Sequence, residues 1–132
     1  MKNTYIIGEI GQNHNGSVDL AKLIIELISR PVHEDVFGMD FMPMNAVKMT
    51  KRDLSEELAV SQMNQIYDNP NSFGRTYGEH RAFLELDDQA RFEIYKYAKS
   101  LGLDFIETLC AKGCLSLLKP VSYTHLTLPT TP

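Results

Sequence analysis

The feature that most constrains this chain is an alternation, repeated three times, of a short β-branched or aromatic run and a stretch with helical spacing. Residues 5–10, Tyr-Ile-Ile-Gly-Glu-Ile, read as a buried strand. The polar turn Gly11-Gln12-Asn13-His14-Asn15-Gly16 follows. Ser17 is placed to cap a helix, and Asp19 suits that helix's positive end. Leu20, Leu23, Ile24, Leu27 and Ile28 give it an apolar face, and Pro31 ends it. Residues 32–44 read as irregular, 45–49 as a second strand, 54–63 as a helical turn or two, and 67–81, rich in Asn and Gly, as a loop. A helix is predicted over 87–101, with Ala90, Ile94, Tyr97, Ala98 and Leu101 on one face and Gly102 as its C-terminal cap. Residues 103–109 predict a third strand, and 111–118 the start of a third helix. Strands alternating with helices predict parallel βαβ units. Three such units neither close a barrel nor make a comfortable open sheet, so the expected class is α/β and incomplete.

Charge and hydropathy exclude several roles. The net charge is -4 and no Lys/Arg-rich run occurs, which argues against nucleic acid or an anionic membrane surface as partner. No apolar run reaches the roughly 20 residues of a membrane span. The apolar stretch near the N-terminus, broken by Glu9, is too short for a signal-peptide core. A cytoplasmic protein is expected. Cys110 and Cys114 are spaced C-x-x-x-C, which suits neither a C-x-x-C redox pair nor a zinc site; both are expected to be reduced thiols.

The end of the chain reads differently from the rest. Residues 121–130, Val-Ser-Tyr-Thr-His-Leu-Thr-Leu-Pro-Thr, back-translate in one frame to the transposon end and adaptor used in short-read DNA libraries. Residues 120–132 are therefore expected to be a non-native tail from adaptor read-through, with His125 carrying no function. Residues 1–119 are the natural segment on this reading, and their function belongs to a longer parent.

In parallel β/α folds the reactive groups gather at the C-terminal ends of the strands. The first strand delivers Glu9, then Gln12, Asn13, His14 and Asn15; the second delivers Lys48, Thr50, Lys51 and Arg52; the third delivers Glu107 and Thr108. Such a set suits a phosphorylated or carboxylated substrate that also bears hydroxyls. Lys48 follows Ala46-Val47 in an otherwise buried strand, where a lysine is rarely placed without a partner. It either reaches a substrate anion or pairs with Glu9 on the neighbouring strand, and residue type leaves both open. His14 alone is more often a loop hydrogen-bonder than a catalyst. Lys51 and Arg52 read as a solvated pair served by Asp53.

Four segments in order carry a resemblance. They are Ile6-Ile7-Gly8-Glu9-Ile10-Gly11-Gln12-Asn13-His14-Asn15-Gly16, Ala46-Val47-Lys48, Ser72-Phe73-Gly74-Arg75-Thr76-Tyr77-Gly78-Glu79-His80-Arg81, and Phe105-Ile106-Glu107-Thr108. Together they resemble the N-acetylneuraminate (sialic acid) synthase family. The resemblance implies an eightfold β/α TIM-type barrel, of which this chain would be about the first three parallel units. It also implies a small C-terminal antifreeze-like domain and a homodimer in the parent. The implied reaction condenses phosphoenolpyruvate with an N-acylated hexosamine such as N-acetylmannosamine. The enol carbon attacks the open-chain aldehyde, water adds at the former enol carbon, and phosphate leaves.

A divalent metal, manganese or magnesium, would polarise the aldehyde, with ligands on later strands and none in this chain. Lys48 falls on the family's phosphoenolpyruvate-binding lysine, and Thr108 on its phosphate-contacting threonine. Glu9, Asn13 and His14 lie in its signature at the barrel mouth. Asn15 stands where some members carry a glutamate, and Tyr77 and His80 lie in a loop expected to border the sugar pocket. Two departures stand out: Gly8 replaces the usual Ala, and Met49-Thr50 replaces a Phe-Gln or His-Gln pair. Two other readings compete, a fragment of a different phosphoenolpyruvate-dependent ulosonic acid synthase and a non-catalytic sugar-phosphate-binding module. The Asn-His-Asn-Gly and Tyr-Gly-Glu-His loops favour the first-named family.

Overall fold

The computed structural model describes residues 4–118, so the expected adaptor-derived tail lies outside the described residues. A parallel sheet of three strands forms the centre: β1 (Ile7–Glu9), β4 (Ala46–Lys51) and β5 (Asp104–Leu109), in the order β1-β4-β5. Glu9 lies opposite Lys48 in register, Val47 opposite Phe105, and Thr50 opposite Thr108. Helix α1 (Val18–Ile28) connects β1 towards β4, and helix α5 (Asp88–Ser100) precedes β5. The Ser17 hydroxyl accepts from Leu20 N at 3.2 Å to start α1, as its position predicts. The Asp87 carboxylate accepts from Ala90 N at 2.8 Å to start α5.

Alternation along the strands divides the sheet into two unlike faces. Val47, Met49 and Phe105 point to one face and meet Ala21 and Ile25 of α1 and Ile94 and Ala98 of α5 in a continuous core. Glu9, Lys48 and Thr108 belong to the opposite face, together with Ile7, which is exposed. Helices on one side of a parallel sheet, with the other face left to form an interior, make a partial β/α barrel.

Four expectations change. The buried stripe of α1 runs through Ala21 and Ile25, flanked by Val18, Ile24 and Ile28, while Leu23 and Leu27 are exposed. Ala21 and Ala98 are both fully buried, and side chains this small let α1 and α5 approach closely. Residues 32–44 are not irregular but hold an antiparallel hairpin, β2 (Val32–Glu34) and β3 (Met39–Phe41). Its turn is closed by the Glu34 carboxylate, which accepts from Val36 N and Phe37 N. Short helices α2 (Leu54–Glu57) and α3 (Val60–Met63) follow β4, but the stretch expected to be a loop ends in a helix, α4 (Tyr77–Leu84). The last element, Lys112–Leu118, is a 3-10 helix. No helix among the described residues is long and apolar enough to cross a membrane.

Ile94 is fully buried between the sheet and α1, so Ile94→Ala is expected to cost about 2–5 kcal/mol of unfolding free energy. Leu23→Ala on the outer side of α1 is expected to stay within about 0.5 kcal/mol. Denaturant titration of the two variants, made in the full-length parent, measures both. Equal losses would show that the core lies elsewhere.

Candidate functional site at the strand C-termini

The strands end at one edge, where the loops after them supply the expected residues. Glu9 and Lys48 meet there: the Lys48 ammonium donates to Glu9 Oε2. The pair is half open to solvent on the carboxylate side. Thr108 is half-buried on the same face, in register with Thr50. Asn13 is exposed and donates from Nδ2 to Ile10 O at 2.9 Å, which folds the loop back onto the end of β1.

His14 sits apart from this group. It is 1% exposed, and its Nδ1 accepts from Gly16 N at 3.1 Å, so it holds the loop from within. Burial lowers its pKa to about 4, and the charge of Arg91 adds to the effect. Asn15 takes a φ of +50°, a conformation that asparagine tolerates. Gly16, at φ +74°, is obligatory for a second reason: a Cβ there would meet the Phe83 carbonyl oxygen at 2.4 Å. The loop after β1 is thereby pressed against α4.

Between that loop and the segment before α4 lies a cleft of about 500 Å³. Gln12 and Asn15 line one side; Tyr67, Asn71, Phe73 and His80 line the other. His80 accepts from Phe73 N at 3.2 Å through Nδ1, stacks on Phe73 and packs at a tilt against Tyr67. Tyr77 does not share this cleft. It borders a smaller one of about 240 Å³ with Gln62, Gln65 and Tyr67, and its hydroxyl accepts from Arg81 at 2.9 Å. The structure therefore brings Asn15 and His80 together and places Tyr77 behind them. Thr76 and Glu79 form a reciprocal capping box that starts α4. The Thr-x-x-Glu spacing was the available signal for this helix.

Glu107 does not face the mouth as its strand-end position implied. It lies on the core side, 2% exposed, and accepts from Arg91 Nη1. Arg91 is 1% exposed and was not expected at the site at all. Its Nε donates to Leu86 O at 3.0 Å, and Nη2 donates to Thr50 O and to Glu85 Oε2, each at 3.1 Å. Glu85 accepts in turn from Gln12 Nε2 at 3.2 Å and from Arg52 N at 3.4 Å. Burial pushes the Glu107 carboxyl up to about 7 against the pull of Arg91, and Glu107 Oε2 has no partner among the described residues. The signal for Arg91 was its spacing: positions 91, 94 and 98 fall on the buried stripe of α5.

Lys51 and Arg52 are not a solvated pair on Asp53. Lys51 pairs with Asp88 and Arg52 with Glu57, because Asp53 is occupied as the cap of α2. Both cysteines are free, and burial raises both thiols, which disfavours the reactive thiolate. Among the described residues no three His, Cys, Asp or Glu side chains converge to hold a metal ion.

A parallel sheet covered by helices on one face, with polar side chains gathered at its strand ends, defines a segment of a β/α barrel. No protein-family model matches the chain. Curated relatives do. N-acetylneuraminate-9-phosphate synthase of Drosophila melanogaster is 31% identical over 119 residues, 89% of this chain and 29% of that protein. Its Homo sapiens counterpart is 33% identical over 101 residues, 76% of this chain and 25% of that protein. N,N'-diacetyllegionaminic acid synthase of Campylobacter jejuni is 32% identical over 108 residues, 82% and 29% of the two chains. This chain thus spans under a third of the curated relatives it matches.

Two solved structures share the fold. N-acetylneuraminic acid (sialic acid) synthetase from Leptospira borgpetersenii, in complex with citrate, superposes with a TM-score of 0.61 at 18% identity over 92% of this chain and 34% of that one. Spore coat polysaccharide biosynthesis protein E of Chromobacterium violaceum superposes at 0.56 and 20% identity, over 86% and 30%. Over most of its length the chain is similar to N-acetylneuraminate-9-phosphate synthases, and its fold matches a segment of the sialic acid synthetase barrel.

The two buried titrations give opposite pH dependences. His14 is neutral in the fold and protonated when unfolded between about pH 4 and 6.5, so its share of stability is lost as pH falls through that window. Glu107 holds its proton in the fold up to about pH 7 but loses it near 4.5 when unfolded, so its share is lost as pH rises. Glu107→Gln is expected to leave stability falling on acidification from 6.5 to 4, and His14→Gln to leave it falling from 4.5 to 7. Thermal midpoints of the two variants, made in the full-length parent, across pH 4–7 check this; slopes of the same sign in the two variants refute it.

Proposed function

We propose that the parent of this segment condenses phosphoenolpyruvate with an N-acylated hexosamine, giving a sialic-acid-type nonulosonic acid and phosphate. The observation that carries this reading is the placement of Lys48. It projects between the core residues Val47 and Met49 onto the open face, at the strand ends and beside Glu9. The activities for which the relatives are named support the same reaction class.

On this reading, Lys48 and Thr108 take the phosphoenolpyruvate anion, the ammonium by charge and the hydroxyl by hydrogen bond. Glu9 holds the lysine oriented until the substrate displaces it. Asn13 and Asn15 offer amides to the sugar hydroxyls, and the cleft bounded by Asn15 and His80 takes the sugar's N-acyl end. His14 and Tyr77 shape the loops from behind. A divalent ion, manganese or magnesium, would polarise the sugar aldehyde, held by residues of the parent on later strands. The working unit is proposed to be a cytoplasmic homodimer.

The test is the full-length reading frame, recovered from the source DNA and assayed with phosphoenolpyruvate, manganese and several N-acylhexosamines. Phosphate release that requires both substrates is expected; its absence with every sugar sinks the proposal. In that enzyme Lys48→Ala is expected to cost about 2–4 kcal/mol in kcat/KM. Lys48→Arg is expected not to restore it, since a planar fork does not replace a compact ammonium. Wild-type kinetics in the alanine variant would make Lys48 idle.

The 132-residue chain alone is expected to show no activity and no sharp cooperative unfolding. Among the described residues its sheet has two unpaired edges, at β1 and β5. A single sharp thermal transition would refute the folding half of that expectation.

A further inference from the structure

We propose that Arg91 is a positioning residue for the anion-binding end of the site. This rests on the synthase reading for its functional consequence, but its structural core stands on hydrogen bonds alone. One guanidinium reaches the ends of all three parallel strands. It donates directly to Thr50 O, two residues beyond Lys48, and to Glu107, the residue before Thr108. Through Glu85 it holds Gln12, in the loop after β1.

The rigid planar fork fits this task, because its donors diverge at fixed angles towards separate acceptors. A lysine has donors but no fork, so it cannot hold both strand ends at a set separation. Arg91 touches no group on the open face. It acts by fixing the backbone on which Lys48 and Thr108 stand.

The experiment uses the full-length protein with Arg91→Lys, read in two ways. The first is amide hydrogen exchange. At the C-terminal ends of the strands, Ile10 N bonds to Lys48 O at 2.9 Å and Cys110 N to Lys51 O at 3.0 Å. At the opposite ends, Ala46 N bonds to Ile6 O and Asp104 N to Asn45 O. Arg91→Lys is expected to reduce protection about tenfold at Ile10 and Cys110 while sparing Ala46 and Asp104. A merely structural arginine would move both ends together, and that result, or no change at either end, overturns the proposal.

The second reading is kinetic. KM for phosphoenolpyruvate is expected to rise about tenfold with KM for the hexosamine unchanged; an equal rise in both overturns the role in anion positioning. If the unaltered protein turns over no phosphoenolpyruvate, the synthase reading fails and exchange alone decides whether Arg91 holds the strand ends. Should Arg91→Lys fail to fold, Glu85→Gln replaces it in the exchange experiment. Loss confined to the Gln12 loop is then expected, and unaltered exchange there overturns the proposal.

Discussion

The buried guanidinium of Arg91 is the constraint on which the rest of this structure depends. Taking a charged group out of water costs several kcal/mol unless its donors are met and its charge is balanced. Both conditions are satisfied by groups from different parts of the chain: the Leu86 and Thr50 carbonyls, Glu85 and Glu107. None of these can shift far without stranding a buried charge. The core below is ordinary apolar packing of Met49, Ile94 and Phe105, which fixes how far apart the layers lie. The polar layer above it is directional. It converts an α/β core into strand ends with a defined registry.

Strand alternation then builds two chemistries from one segment. In β4, Val47 and Met49 enter the core, and Lys48 between them must leave it. The same rule places Glu107 inward and Thr108 outward in β5. Glu107 and Thr108 thus look alike as polar residues at a strand end, yet one is part of the buried arginine network and the other is part of the open face.

This also marks what was legible in the sequence. The three parallel strands, the cap at Ser17 and the positive φ at Gly102 followed from local rules, because each is decided within a few residues. The Glu9–Lys48 pair was legible as one of two alternatives, since strand order made the two neighbours without saying what else competed for them. The hairpin of β2 and β3 was not legible: its short strands are exposed, so no apolar alternation marks them. Helix α4 was masked by Gly78, usually a loop signal. Here it is required because a Cβ would meet the Met63 carbonyl oxygen at 2.8 Å. The Arg91 network was missed for a different reason. An arginine within a charged helix reads as surface, and only its phase with Ile94 and Ala98 indicates otherwise.

The two cation–carboxyl contacts at this edge differ in a way that bears on function. Arg91 and Glu107 are sealed from solvent, and separating them would strand a charge in the interior, so they are fixed partners. Lys48 and Glu9 meet at the open face with the carboxylate half exposed. An ion pair that water can reach contributes only about 0–1 kcal/mol. Separating that pair therefore costs little, because water takes up the released carboxylate. An anion arriving at the strand ends can draw the Lys48 ammonium away from Glu9 without disturbing the fold. A lysine intended only to hold two strands together would be better placed where Arg91 is. Its position in the exposed pair suits exchange of partners, which is what binding and release of an anionic substrate require.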